Sequence, residues 1–575
     1  MPWTQAIDPF HNKITSLLVA LVPVLFIFWA LVIRKMKGYM ASLLATGVAL
    51  IIGILVYGMP VHLALLSSFN GAIYGLFPIC WIFLPAVFLF NITIRSGQFE
   101  IIRHFMASVT SDRRIQALLI AFSFGSFLEG TAGFGAPVAI TAAMLAGLGF
   151  NPLYAAGICL IANTAPVAFG SIGIPITMAS QVTGIPEQAI SQMVGRTLPF
   201  LSALLPFYLV TLMAGYKRAK EIAPAALVSG LSFAIIQAVT SNFLGPALPD
   251  VLAGIGSIVC LLLLLKWWRP KTIWRFPEET ATAAPPTDQL PAVLPPTVKV
   301  PAGHPPAPPP PAPHPATSQY SPYQLFWALS PFITLTLVIV IWGLPPVKDW
   351  LNAKGTLLFE MPGLHNAIID RNGHPIPHIF RLNYLSAAGT AIAIAALMSL
   401  ALSGLRLREG AKVLRSTLHQ LRYPILTVAA VLAFAYLVND SGITLTIARS
   451  LAGSGWLFPF FAPLLGWLGV FITGSDTSAN ALFGKLQAAT ATTIGVDPVV
   501  TVAANVSGGV VGKMISPQSI AIAAAAGGLV GRESDLFRFT VRHSFILLSV
   551  ICFLVLAQAY LFKWLIPLYS IHPLH

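Results

Sequence analysis

Apolar runs close to 20 residues long recur along nearly the whole 575-residue chain, Ser16 to Ile33, Ala72 to Phe90, Ala226 to Val239 and Phe545 to Leu561 among them. Crossing a bilayer core as helix takes about 20 such residues. One soluble core cannot absorb so many, so the pattern predicts an all-α polytopic membrane protein with about 12–14 membrane segments. The first run has no small-residue cleavage site and leads at once into another, which makes it a retained span and not a signal peptide.

Composition strengthens this reading: only 9% of the residues are charged, against roughly 25% in a soluble domain. The net charge of +14 does not imply a nucleic-acid partner, because the basic residues sit in short clusters between apolar runs, where they orient a membrane protein. Arg34, Lys35 and Lys37 place the first interspan loop inside and the N-terminus outside. The loop from Gly58 to Val61 is then outside. Arg95, Arg103, Arg113 and Arg114 are inside, as are Lys217, Arg218 and Lys220, and then Lys266, Arg269, Lys271 and Arg275. Residues 268–322 are rich in Pro, Ala and Thr and read as an extended cytoplasmic linker between two membrane halves, 1–267 and 323–575. Beyond a span from Tyr323 to Trp342, the polar stretch Pro345 to Arg381 falls outside, and Arg406, Arg408, Lys412, Arg415 and Arg422 fall inside. The expected location is a membrane that the chain crosses many times. Cys80, Cys159, Cys260 and Cys552 lie singly in apolar stretches, which implies neither disulfide nor metal.

The halves echo each other at an offset close to 345 residues. Phe127-Leu-Glu-Gly130 matches Phe471-Ile-Thr-Gly474, Gly149-Phe-Asn-Pro152 matches Gly495-Val-Asp-Pro498, and Ala162-Asn163 matches Ala504-Asn505. Gly170 and Pro175 match Gly512 and Pro517, and Ser96-Gly97 matches Ser441-Gly442. The charge pattern puts Ser96-Gly97 inside and Ser441-Gly442 outside. The chain therefore reads as two inverted repeats, the recurring plan of secondary transporters, in which substrate and coupling ion meet at broken helices near the midplane.

Each half has one stretch too polar and Gly-rich for a plain span: Gly125 to Pro137 around Glu129, and Thr473 to Asn480 around Asp476. Unpaired backbone at membrane depth is tolerated only against protein or a wet cavity, so both are expected to be re-entrant tips or broken helices. Half-helix N-termini there offer free N–H groups to an anion such as a carboxylate. Glu129 is the only charged residue between Arg114 and Glu187. A carboxylate in the membrane costs at least about 2.5–3.5 kcal/mol and is functional by default; Glu129 and Asp476 are the candidate proton carriers. The alternatives are a capping or ion-paired Glu129 and an N-capping Asp476. Lys513 either attracts the substrate carboxylate, pairs with Asp476, or snorkels to an interface. Thr131, Gly133, Gly135, Asn163, Thr473, Ser475, Thr477, Ser478, Asn480, Asn505, Ser516 and Gln518 complete the candidate substrate site, with Asn163 and Asn505 as amide donors or as interhelical ties. No HExxH, nucleophile elbow or phosphate-binding loop is present. The His residues form no ligand set, and no cofactor or metal is implied.

At this point the residues resemble the bacterial L-lactate permeases. The likeness lies in Phe127-Leu-Glu-Gly-Thr-Ala-Gly-Phe-Gly-Ala-Pro-Val-Ala-Ile140, Thr473-Gly-Ser-Asp-Thr-Ser-Ala-Asn-Ala-Leu-Phe-Gly484, Gly512-Lys-Met-Ile-Ser-Pro-Gln-Ser519 and the opening Trp3-Thr-Gln-Ala-Ile-Asp-Pro9. It runs through both halves and leaves out the Pro-rich linker. The resemblance implies uptake of L-lactate, and often D-lactate and glycolate, with a proton. Independently, an anion entering a cell held negative inside pays about 2.3 kcal/mol per 100 mV, which one accompanying proton cancels. The paired tips lean toward an elevator over a rocking motion. Rival readings are a sodium-coupled carboxylate carrier, which uptake that follows pH and ignores Na⁺ would exclude, and a membrane-embedded ligand sensor, for which no output domain is visible.

Overall fold

The structure, a computed structural model, describes residues 2–34, 36–131, 133, 135–276, 320–370, 373–529 and 532–569. Nearly all of the expected Pro-rich linker lies outside them. Among the described residues, 10 helices are long and apolar enough to cross a membrane, or up to 11 if the pair Pro152–Ala162 and Val167–Thr183, bent by 63°, is one span. Lys13–Ile27, Ala136–Gly147 and Ala388–Leu402 are apolar but shorter. The segments counted from hydropathy thus divide into full spans and half-length pieces.

The fold is not purely helical. Trp3–Thr4 pairs in parallel with Ile368–Ile369, and Leu357–Glu360 pairs antiparallel with Ile379–Leu382. These short strands build a cap over one end of the bundle.

Loops that the charge pattern assigns to one face touch one another. On the basic face, buried Arg114 bridges Asp112 at 2.7 Å and Glu221 at 2.7 Å and donates to the carbonyls of Arg218 and Thr272. This joins three of the basic loops. Arg95 meets Glu409 there at 3.4 Å. On the other face, Gln5 donates to Asp440 O at 2.8 Å, Thr446 donates to Ile7 O at 2.6 Å, and Ser67 and His378 both reach Asp440 Oδ2, at 2.5 and 3.0 Å. The N-terminus, the 356–382 cap and the Asp440–Gly442 turn therefore share one end.

Some positions matched between the halves take the same local conformation, whereas Gly130 is helical where Gly474 has φ 70°, and Asn163 ends a helix where Asn505 lies inside one. Gly97 and Gly442, each opening a helix, have φ 81° and 90°. Gly149 and Gly495 have φ 91° and 72°. Asn151 and Asp497 each cap the next helix, accepting from Leu153 N and Val499 N at 3.0 Å.

Burial drives the His378 imidazole toward its neutral form, but the Asp440 carboxylate and two backbone carbonyls more than offset this, so its pKa is raised. The stability that this contact supplies is complete below the unfolded value of about 6.5 and is lost as pH rises through the folded value. The thermal midpoint of the detergent-solubilised protein should therefore fall as pH rises above about 6.5. His378→Gln should flatten that slope; a slope equal to the parent's would show that the contact is not its source.

Candidate functional site

Four helix breaks meet inside the bundle, two from each half. In the first half, Gly125–Thr131 ends and Ala136–Gly147 begins across Gly133 and Gly135, at φ 56° and 84°. A second break follows Pro152–Ala162, where Ser171, Ile172 and Gly173 all take positive φ. The two breaks touch, since a Cβ built on Gly133 would fall 1.9 Å from Ser171 Oγ. In the second half, Phe458–Thr473 and Asp476–Ile494 are separated by Gly474, at φ 70°. Pro498–Lys513 and Pro517–Gly527 are separated by 514–516. Here too the breaks touch: a Cβ on Gly474 would lie 2.3 Å from Gln518 Oε1. Glycine is required at these contacts by the left-handed backbone and by the close approach together.

Among the described residues, one buried ion pair joins the halves. Lys513 Nζ lies 2.6 Å from Glu129 Oε1, with the two side chains 10% and 3% exposed. Sequence left Lys513 to the substrate, to Asp476 or to an interface; the structure pairs it with Glu129. Glu129 Oε2 has no partner, and the side chain lies against Gly170, at the second break. Asp476 is the first residue of its helix and not the cap, which is Ser475, accepting from Ser478 N. Both Asp476 oxygens are buried without a hydrogen-bond partner. Asn480 lies beside it but directs Nδ2 to Pro175 O at 3.1 Å. Oδ1 of Asp476 sits over Gly509, one helical turn before Lys513, where a Cβ would come within 2.0 Å. Gly509→Ala should force that carboxylate aside, costing about 1–3 kcal/mol and most of the transport; uptake and thermal midpoint equal to the parent's would show that Asp476 is not held there.

Sequence reasoning missed Asp250, which is fully buried. Oδ1 accepts from Gln237 Nε2 at 3.1 Å, Oδ2 is without a partner, and the group is within electrostatic reach of Glu129 and Lys513. In the sequence, Pro249-Asp250 looks like an ordinary helix start. What buries it is the close approach of Gly125–Thr131 to Pro249–Trp267: a Cβ on Gly130 would meet Asp250 Cβ at 2.9 Å, and one on Gly254 would meet Phe127 N at 2.7 Å. One ammonium thus faces three buried carboxylates drawn from three helices.

The remaining candidates divide by what their polar atoms do. Asn163 has no partner for either amide atom. Asn505 donates to Asn480 Oδ1 at 2.8 Å and accepts from Gln487 at 3.2 Å, so these two asparagines tie helices together. Thr131 donates back to Phe127 O and Leu128 O, and Thr473 to Gly469 O and Ser475 O. Ser516 caps the helix that follows Lys513. Ser478 is buried, Thr477 half-buried and Gln518 exposed. Among the described residues, no group of three or more His, Cys, Asp or Glu side chains could hold a metal ion.

Comparison with known proteins fits this geometry. The sequence profile of the L-lactate permease family matches residues 16–562. The chain is 54% identical over 585 residues to the L-lactate permease of Bacillus subtilis (strain 168), covering 99% of this chain and 100% of that one. It is 49% identical to the glycolate permease GlcA of Escherichia coli (strain K12), covering 97% of this chain and 98% of the relative. A solved structure of Neisseria gonorrhoeae MtrF, described as illuminating a class of antimetabolite efflux pumps, superposes with TM-score 0.44 at 14% identity over 87% of this chain and 85% of its own. That likeness is too distant to place any residue. With a family match spanning nearly its whole length, this bacterial-type, multi-pass membrane protein belongs to the L-lactate permease family.

Proposed function

We propose that this chain is a permease of the inner membrane that imports lactate and glycolate, each with a proton. The single observation that carries the coupling is the buried Glu129–Lys513 pair, which links the two halves at their helix breaks. A substrate carboxylate takes Glu129's place at Lys513. Glu129, left without a counter-charge in a low-dielectric site, then takes up a proton. The charge of the site does not change, and one proton travels with one anion. Asp476, with no hydrogen-bond partner on either oxygen, is the alternative carrier of that one proton.

The halves 1–267 and 323–575 are read as inverted repeats, since the matched turns at Gly97 and Gly442 lie at opposite ends of the bundle. The N-terminus is placed outside and the Pro-rich linker in the cytoplasm, following the basic loops. The first spans share a smaller apolar core with Phe434, Leu437 and Ile443, which Phe483 and Leu486 of the broken helix Asp476–Ile494 also join, while Gly125–Thr131, Pro152–Ala162 and Pro498–Lys513 contribute to the larger one. The paired helix breaks support an elevator-like movement past a scaffold.

Radiolabelled lactate uptake in proteoliposomes under imposed pH and Na⁺ gradients tests the reading. Uptake should follow the pH gradient and be indifferent to Na⁺. Uptake that follows Na⁺ at constant pH would replace the proton with sodium.

A further inference from the structure

The main site uses Glu129, Lys513 and Asp476, yet it leaves unexplained a second set of buried polar atoms beside the first-half break. Ser126 Oγ, Thr164 Oγ1 and both amide atoms of Asn163 have no hydrogen-bond partner, although Ser126 and Thr164 are each 1% exposed and Asn163 is 5% exposed. Buried polar groups in native proteins are almost always paired, so several orphans in one place point to a ligand. The elements that carry them pack together. The Gly125–Thr131 helix packs on both Pro152–Ala162 and Val167–Phe169, the elements on either side of Asn163 and Thr164. Ser126 precedes Glu129 by three residues and so shares its helix face.

The turn is also held rigid. Gln237 Nε2 donates to Ala165 O at 3.1 Å and to Asp250 Oδ1 at 3.1 Å, while Gln237 Oε1 accepts from Ser202 Oγ at 3.0 Å. With all its polar atoms engaged, Gln237 fixes the turn just after Thr164 and leaves Asn163 and Thr164 uncommitted. An asparagine amide offers one donor and one acceptor group, and a hydroxyl offers either. That is the complement of an alcohol, which both donates and accepts. It is not the complement of a second carboxylate, which only accepts.

We propose that Asn163 and Thr164, with Ser126 from the facing helix, form the subsite for the 2-hydroxyl group of the substrate, while Lys513 takes its carboxylate. The inference rests on the reading of this chain as a carrier of 2-hydroxy monocarboxylates and names the residues that make it select them. A site built to hydrogen-bond a hydroxyl rejects the analogue that lacks it, because its own polar atoms are then left buried and unpaired.

The test is the ratio of kcat/KM for lactate to that for propionate, which has the same carbon skeleton without the hydroxyl, measured in proteoliposomes. The parent should favour lactate by about 100-fold or more. Thr164→Val, which keeps the shape and removes the hydroxyl, and Asn163→Ala should each lower that ratio about tenfold by raising the KM for lactate, with propionate little affected. Ser126→Ala should act in the same direction and reports on the subsite if another variant fails to insert. A ratio equal to the parent's, with both substrates falling together, would mean a purely structural role and overturn the proposal. So would a parent that carries propionate as well as lactate. A parent that carries neither lactate nor glycolate would instead refute the functional reading itself.

Discussion

Lys513→Ala is expected to abolish lactate uptake and to destabilise the protein by about 3–5 kcal/mol, because it leaves Glu129 buried with no counter-charge. Lys513 also acts electrostatically on the buried carboxylates Asp250 and Asp476, besides pairing with Glu129. The two losses are separable. Glu129→Gln combined with Lys513→Met removes both charges at similar volume, so it should recover most of the thermal midpoint. It should not recover transport, since nothing remains to attract the substrate carboxylate. A double variant that transports lactate would show that the pair serves folding alone.

The second large effect concerns coupling. In the parent, a pH difference of one unit sustains up to about tenfold accumulation of lactate if one proton accompanies each anion. Glu129→Gln keeps an oxygen for Lys513 but cannot take up a proton, so accumulation driven by pH should vanish, while exchange of internal for external lactate should persist. The measurement is labelled lactate at steady state, with equal internal and external substrate in the exchange arm. Accumulation in the variant equal to the parent's would remove Glu129 from the proton's path and leave Asp476 or Asp250 as its carrier.

Much of this was legible in the chain itself, and for stated reasons. The spans follow from apolar run lengths, and basic clusters group the loops; Arg114 contacts Glu221 and Thr272 of two other basic loops, while Gln5 contacts Asp440. The breaks near Gly133 and Gly474 were visible because glycine and polar residues interrupt apolar runs there. The partner of Lys513 was not legible, because pairing across 384 residues depends on how two halves dock, and local pattern carries no information on that. Asp250 was hidden for a related reason: its burial comes from Gly130 and Gly254 letting two helices close on each other, and glycines are too common in this chain to signal it. Asn480 and Asn505 looked like substrate ligands by composition, whereas their amides are satisfied by each other and by Pro175 and Gln487. Polar residues in a membrane protein bind substrate or bind helices together, and only geometry separates the two. The strands of the cap escaped notice because each is only two to four residues long.

The exchange of partners at Lys513 can be observed without any membrane. Lactate added to the detergent-solubilised protein in weakly buffered solution should draw about one proton out of solution for each lactate bound, as Glu129 gives up its ion pair and is protonated. Glu129→Gln should bind lactate with no proton uptake. Lactate binding that leaves the pH of the parent solution unchanged, or an equal uptake by parent and variant, would contradict the account.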